Sequence, residues 1–456
     1  MQHGYRWYPT AVTLGDYRVL VTCGNGRGDM EVYNESTDQF EDISGDTRGF
    51  PNLYPGFHML PNHIIFYSRT GFGSARAEPG VMADNQSGFF TFSPPPQGSL
   101  SGSWTNITAA SVNRAKGMSV MILRSCYQNV RILAVGGVDS TDNNTYEIID
   151  ASVLSPSSSW NMPVPFPDRE SRRQCNAVLL PDGTVFVSGG IDRINSPCAL
   201  FNPANDTWDP MDELPSIRGY HSVSLLLPSG KVLVAGGDGN PRIEIFSPPY
   251  LFRGTRPIIV SAPSLVQHGQ TFSIETREAE SIVKTVLVRP MAVTHQTDTE
   301  QRVIEMPFLH DHARPNRLVV TAPDGGRPRS LVPDGYYMLF ILNRDGVPSV
   351  AHWVGLSNNP WWRRFELATA GASTSGGISA VSRIPGSMEV WWIGANGSVQ
   401  GAKWYEGGSP WELYELAPAG SASTSGGISA VSRIPGSMEV WWIGANGSVQ
   451  DAFWYA

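Results

Sequence analysis

Between residues 5 and 250 a short apolar run ending in glycine recurs at a near-regular interval. Its instances are "YRVLVTCG" (17–24), "NHIIFYSRTG" (62–71), "VRILAVGG" (130–137), "GTVFVSGG" (183–190) and "GKVLVAGG" (230–237). The apolar stretches run four to six residues, the length of a strand rather than a helix. Glycine pairs suit bends where backbones approach closely. A polar loop and an aromatic-containing strand then follow, as in "ALFNPANDTW" (199–208) and "IEIFS" (243–247). The 456 residues include 47 Gly and 35 Pro, and only 16 % are charged, against roughly 25 % in an average soluble domain. Helix surfaces need Glu, Lys and Arg, so this turn-rich, charge-poor balance predicts an all-β chain.

Units of roughly 40–50 residues with this signature read as β-propeller blades of the kelch type. Five are found, and they place a kelch-type propeller over residues 1–255. From 256 the glycine pairs stop, and alternating strands take over, among them "TFSIET", "IVKTVLVRP", "RLVVTAP" and "YYMLFIL". These predict an immunoglobulin-like β-sandwich over 256–357. The remainder, 358–456, is repetitive. "ASTSGGISAVSRIPGSMEVWWIGANGSVQ" occupies 372–400 and recurs identically at 422–450, a period of 50 residues. Asn396-Gly397 and Asn446-Gly447 are hairpin-turn pairs, so each copy reads as one further blade. Two blades cannot close a ring.

The net charge of −8 argues against nucleic acid, whose phosphates need a basic face. No apolar run approaches the roughly 20 residues of a membrane helix, and "MQHGYRWYPT" does not read as a secretory signal. Cys23, Cys126, Cys175 and Cys198 show no CxxC spacing, so a zinc site is not indicated. One or two disulfides stay possible, with pairing open.

The candidate chemistry lies at strand starts. In "RGYHSVSLLLPSGKVLVAGGD" (218–238), Tyr220 and His221 sit where the first strand of a blade enters the central channel. Tyr8, in "RWYPTAVTLGDYRVL", occupies the matching position, two residues after an arginine. His295, in the polar loop "RPMAVTHQTDTEQR", lies between two strands of the sandwich. Two phenol oxygens and two imidazole nitrogens make the tetragonal N,O set that Cu(II) prefers. By residue type alone, packing is the alternative role for each.

Together these motifs, with "IEIFSPPYLF" and "GYYMLFILNRDGVPSVAHWV", resemble the galactose oxidase/glyoxal oxidase family of copper radical oxidases across residues 5–354. The resemblance implies a seven-bladed kelch propeller, five blades of it in this chain, and an immunoglobulin-like domain whose loop delivers a histidine to one Cu(II). It implies Tyr8, Tyr220, His221 and His295 as metal ligands. Tyr8 would be the equatorial tyrosine that becomes a radical, and Tyr220 the axial tyrosine and general base. Substrates would be small aldehydes or primary alcohols, with O2 reduced to H2O2. The family cross-links its radical tyrosine to a cysteine through a thioether, and none of the four cysteines occupies that position. The cysteine belongs to a blade preceding the one with Tyr8, so the first two blades are expected to lie upstream of Met1 or to be lost. Where galactose oxidase holds its sugar with an arginine, "NLYPGFHMLPNH" has Pro55, and Gly26 stands where a tryptophan stacks. The likeness is therefore to glyoxal oxidases rather than galactose-specific enzymes, and it implies an extracellular protein although no signal peptide is present.

The C-terminal repeats resemble bacterial fucose- and galactose-binding propeller lectins. That resemblance implies glycan binding through Trp391, Trp392, Trp404 and Tyr405, and through Trp441, Trp442, Trp454 and Tyr455, with about half of these aromatics packing between blades instead. Two functions are expected to compete: an oxidase carried to glycans by its repeats, and a truncated, catalytically silent propeller that acts as a carbohydrate-binding protein. No nucleic-acid or membrane partner is expected.

Overall fold

In the computed structural model the described residues are 6–455 without 16–17, 25–28, 35–36, 46–52, 61–63, 73–81, 94–99, 125–128, 139–142, 191–193, 324–330, 358–366, 369–372 and 406–410. Cys126 and Gly26 lie outside them. The chain divides into two compact units, 1–359 and 360–456. Both are built of strands, with short 3-10 turns such as Pro249–Phe252.

Five meanders of antiparallel strands follow one another in the first unit, and the second also takes Ser44–Gly45 as a parallel edge strand beside Ser101–Asn106. Their first strands are Thr10–Thr13, Phe57–Leu60, Ala115–Arg124, Cys175–Leu179 and Ser222–Leu226. The apolar runs form the second strands. Val185–Gly189 and its neighbour Cys175–Leu179 are buried at every residue. Sheets covered on both faces bury both sides of a strand, which is why these runs are continuous rather than alternating. Apolar clusters join successive sheets: Val12, Leu20, Phe57 and Ile65 between the first two, and Val120, Leu133, Ala177 and Val187 between the third and fourth. This is the stacked-blade packing the repeats predict.

One device recurs where three of these five sheets begin. Arg6 bonds Glu31 through Nη2 at 2.6 Å and donates from Nη1 to the Cys23 carbonyl at 2.9 Å. Arg114 bonds Glu147 through Nε at 2.6 Å and donates to the Gly136 carbonyl at 2.8 Å. Arg218 bonds Glu244 through Nε at 3.0 Å and donates to the Gly236 carbonyl. Each glutamate lies on the third strand of its sheet, so the guanidinium crosses the sheet and ties its start to its middle. Arg172 varies the theme, with Asp168 and the Pro197 carbonyl as partners. Arg69 joins Arg114 on Glu147, at 2.9 Å.

The glycine pairs answer to the same arginines. A Cβ on Gly136 would lie 2.0 Å from the Arg172 carbonyl oxygen, and one on Gly189 would lie 2.3 Å from that of Arg218. The next residue instead donates its N–H to that oxygen: Gly137 to Arg172 at 2.7 Å, Gly190 to Arg218 at 2.9 Å. Only glycine lets the neighbouring sheet come that close.

Residues 265–356 form two facing sheets. One has five strands, including Ile282–Arg289, Gly335–Asn343 and His352–Leu356, and the other has three, including Thr271–Glu275 and Arg317–Thr321. Phe272, Ile274, Leu287, Leu318, Leu339 and Val354 fill the space between them.

The second unit holds a four-stranded and a three-stranded meander, one for each copy of the repeat. In the first, Glu412–Ala417 pairs along Val399–Tyr405. Both copies build the same polar triad. Arg383 bonds Glu389 at 3.0 Å and the Tyr405 hydroxyl at 2.6 Å. Arg433 bonds Glu439 at 2.8 Å and the Tyr455 hydroxyl at 2.6 Å.

Breaking one partner of a buried ion pair strands the other, at about 3–5 kcal/mol. Glu147→Ala would strand two guanidinia at once, Arg69 and Arg114, both fully buried. Its expected loss is therefore at least at the upper end of that range, read as a lower urea midpoint with an unchanged slope.

Candidate metal centre

The polar loop between strands Ile282–Arg289 and Arg302–Met306 carries His295 at the tip of a tight turn. Thr294 and Thr297 exchange backbone hydrogen bonds at 3.0 and 2.8 Å. His295 and Gln296, the two residues between them, have φ of 47° and 64°, the geometry of a two-residue hairpin turn. The loop is bonded to three propeller sheets. Thr297 donates to the Tyr54 carbonyl at 2.6 Å, and Thr299 to the Ala11 carbonyl at 2.8 Å. Thr13 donates to Glu300 at 2.9 Å. Gln301 spans the Ala177 carbonyl and the Leu179 amide, at 3.0 and 2.9 Å.

These anchors bring His295 among Tyr8, Tyr220 and His221. The Tyr8 and Tyr220 hydroxyls are 3.3 Å apart. Ring centroids separate His295 from Tyr8 by 4.8 Å, from His221 by 4.7 Å and from Tyr220 by 5.4 Å. Tyr220 stacks on His221 at 3.7 Å. All four residues singled out in the sequence, drawn from two sheets and the sandwich loop, thus meet at one point.

Each imidazole has its Nδ1 occupied. That of His221 pairs with Asp238 at 2.6 Å, and that of His295 with the Thr294 hydroxyl at 2.8 Å. A partner that accepts from Nδ1–H leaves the Nε2 lone pair free. The Nε2 of His295 is buried and has no hydrogen-bond partner among the described residues. Burial and the nearby His221 hold the His295 imidazole below its usual range, so it is a neutral donor. Burial, and then the hydrogen bond to Tyr8, push the Tyr220 phenol up to about 12. A cation at this point would reverse that preference. Two phenol oxygens and two imidazoles, one with an orphaned buried nitrogen, fit Cu(II).

Several neighbours were not found by reading the sequence. Tyr8 stacks on Trp7 at 5.0 Å and on Tyr54 at 4.7 Å. Tyr54 also stacks on His295 at 4.8 Å, and its hydroxyl bonds the Thr294 side chain. Phe72 stacks on Tyr220 at 4.8 Å. For Tyr54 a signal existed: Tyr54-Pro55 repeats the Tyr8-Pro9 pair one sheet later. A cleft of about 490 Å3 opens beside Tyr220, with Phe72, Lys116, Arg173, Gln174 and Asp238 in its wall.

Cys23, Cys175 and Cys198 are free and buried, each within an apolar cluster. Burial raises the thiols of Cys23 to about 12 and Cys175 to about 11, so both stay protonated. No group of three or more His, Cys, Asp or Glu gathers elsewhere among the described residues.

Comparison with known proteins places the chain in a family. Residues 256–356 match the family model of the galactose oxidase-like early set domain. An aldehyde oxidase of the glyoxal oxidase type from Vitis pseudoreticulata is 32 % identical over 405 residues, which is 77 % of this chain and 72 % of the relative. The chain belongs to the galactose oxidase/glyoxal oxidase-like family of copper radical oxidases.

Galactose oxidase of Gibberella zeae is 32 % identical over 197 residues, 38 % of this chain and 28 % of that protein. A fungal alcohol oxidase solved with copper shares the fold, with a TM-score of 0.62 at 20 % identity over 77 % of this chain and 76 % of that one.

In the C-terminal unit, Trp391, Trp392 and Trp442 are buried, with 1 %, 5 % and 7 % of their surface exposed. Trp404, Tyr405 and Trp441 are half-buried, and Trp454 and Tyr455 are each 47 % exposed. The Arg383 guanidinium lies 4.4 Å from the Trp454 ring centroid.

The loop also carries a titrating group. Burial lifts the Asp298 carboxyl from 3.8 to about 6. The folded chain then holds a proton that the unfolded chain has released, so this residue's contribution is lost as pH rises from about 4 through 6. Asp298→Asn removes that slope. Urea midpoints across pH 4–7 are expected to show wild type losing stability relative to the variant up to pH about 6, and a constant difference above it.

Proposed function

We propose that this chain is a copper-dependent oxidase of small aldehydes or primary alcohols, and that Tyr8, Tyr220, His221 and His295 hold the metal. The observation that carries this reading is the partnerless, buried Nε2 of His295, held by its anchored loop at the junction of Tyr8, Tyr220 and His221.

The overall change moves two electrons and two protons. An alcohol RCH2OH and O2 become RCHO and H2O2, and an aldehyde hydrate gives the acid in the same way. Bound copper would supply a one-electron acceptor next to the substrate oxygen. The chain's residues would do the rest. Substrate enters the cleft against Phe72 and Tyr220. The Tyr220 oxygen, 3.3 Å from that of Tyr8, takes the substrate's hydroxyl proton. Tyr8, in its oxidised radical form, takes the carbon-bound hydrogen atom. Its ring stacks on Trp7 and Tyr54. Thr294 and Asp238 hold the two imidazoles in the tautomer that presents Nε2.

This reading expects the chain to bind one Cu(II) with two nitrogen donors in its electron paramagnetic resonance spectrum. His295→Ala should weaken binding at least tenfold and erase one nitrogen coupling. Copper binding unaffected by that variant would refute the ligand set. Copper bound normally, but with no peroxide released from aldehydes or primary alcohols, would favour the catalytically silent reading.

We also propose that the C-terminal repeats bind glycans through exposed aromatic faces. The support is the half-exposed pair Trp454 and Tyr455, with Arg383 beside it. Sugar rings stack on such faces, and guanidinia donate to their hydroxyls. Trp454→Ala should abolish retention on immobilised fucosylated or galactosylated glycans without changing copper content. Equal retention would overturn this proposal.

A further inference from the structure

We propose that Lys116, with Gln174 and Arg173 beside it, forms an anion subsite in the cleft next to Tyr220, so that the substrates favoured are aldehydes or alcohols bearing a carboxylate. As a statement about substrates this rests on the oxidase reading. As a statement about anion binding it stands alone.

The first support is register. Tyr8, Lys116, Gln174 and Tyr220 each follow a buried arginine by two residues: Arg6, Arg114, Arg172 and Arg218. The arginine fixes where its sheet begins, so the residue two places on is delivered to the same rim. The two tyrosines among these four are the candidate metal donors. Lys116 and Gln174 hold the position of Tyr8 on the sheets between, and on the Tyr220 sheet the residue in that register is His221, next to Tyr220, with φ of 62°. Their backbones match that of Tyr8: φ is 61° at Tyr8, 61° at Lys116 and 64° at Gln174. A left-handed conformation at a long side chain is uncommon and persists where the surroundings over-determine it. Here Lys116 donates its N–H to the Gly71 carbonyl at 2.5 Å, and Gln174 donates to the Lys116 carbonyl at 2.7 Å. The rim is thus stitched from one sheet to the next.

The second support is charge. Among the described residues, the charged ones in the wall of this cleft are Lys116, Arg173 and Asp238, and the Asp238 carboxylate is engaged by His221 Nδ1. Of the two cations, Lys116 is the one on which the subsite rests. Lys116 is half-buried and has no ion pair among the described residues, whereas Lys284 and Lys403 each sit within 3.5 Å of a glutamate. A partly desolvated ammonium gains from a charge-assisted bond to a carboxylate, and the Gln174 amide can donate to its second oxygen. A neutral substrate offers neither contact. The hydrate of glyoxylate is the simplest member of the class: HC(OH)2COO− and O2 become HOOC–COO− and H2O2.

Glyoxylate and methylglyoxal have the same number of heavy atoms and differ by a carboxylate against an acetyl group. The test is the ratio of their kcat/KM values, measured by peroxide release at fixed ionic strength in the copper-loaded chain. Lys116→Asn removes the charge with a residue that accepts positive φ. It should lower the glyoxylate-to-methylglyoxal ratio about tenfold, and Lys116→Arg should restore it to within about threefold. A ratio that stays within twofold in Lys116→Asn overturns the subsite. If neither Lys116 variant folds, Gln174→Met must lower the same ratio by at least threefold, and an unchanged ratio there also overturns it. If wild type oxidises neither compound, the oxidase reading fails, and calorimetric titration of glyoxylate into the metal-free chain decides. Saturable binding that Lys116→Asn abolishes upholds the subsite. Absent binding, or binding the variant leaves intact, overturns it.

Discussion

A buried guanidinium at the entrance of most sheets is what the candidate centre depends on. Arg6, Arg114 and Arg218 are each withdrawn from water and satisfied by a glutamate on the third strand and a carbonyl at the end of the second. An ion pair taken out of water gains little net stability, because desolvation offsets much of the attraction. What it enforces is geometry, since any slip in register would leave a charge buried alone. The backbone of the next sheet's arginine then seats on the preceding glycine pair, at a distance no Cβ allows. The same residue therefore fixes its own sheet through its side chain and the neighbouring sheet through its carbonyl.

From that frame the candidate centre is assembled under strain. Tyr8, Tyr54, His221 and His295 all have positive φ, from 46° to 62°. Each such residue costs about 1–3 kcal/mol unless its surroundings repay it. The repayment is visible at His295, where threonine and glutamine side chains bond the loop to three separate sheets. A histidine on a free loop would sample many positions. This one is presented with a single nitrogen bare and pointed inward.

The sequence made some of this plain and hid the rest for identifiable reasons. The apolar runs ending in glycine were legible because each is a second strand buried on both faces. Tyr8 and Tyr220 were legible as a pair because each stands two residues after a frame arginine. His295 lies in no repeat, and the sequence offered only its polar loop and its donor type, with packing as an equal alternative until the family resemblance was added. Trp7, Phe72 and Asp238 carry no sequence signal, since their importance comes from which rings and nitrogens the fold sets beside them. The C-terminal copies show the limit most directly. Val399 and Val449 occupy the same place in identical sequences, yet the first is fully buried and the second is 73 % exposed. The first lies under the strand Glu412–Ala417. Burial is a property of the neighbouring strand, which the repeat itself does not encode.

The electrostatics of the proposed centre follow from the same desolvated setting. Without a cation, the Tyr220 phenol is held protonated to about pH 12 and His295 is held neutral. Tyr220 and His295 are thus held uncharged while no cation is bound. A divalent cation bound there would draw off phenol protons, so two phenolates would cancel its charge and the imidazoles would add none. Proton release makes such binding stronger as pH rises. It also leaves the wall of the cleft to Lys116, whose charge the centre would not neutralise. A neutral metal set beside an uncompensated ammonium is an arrangement for drawing in a small anion and turning its far end toward Tyr220.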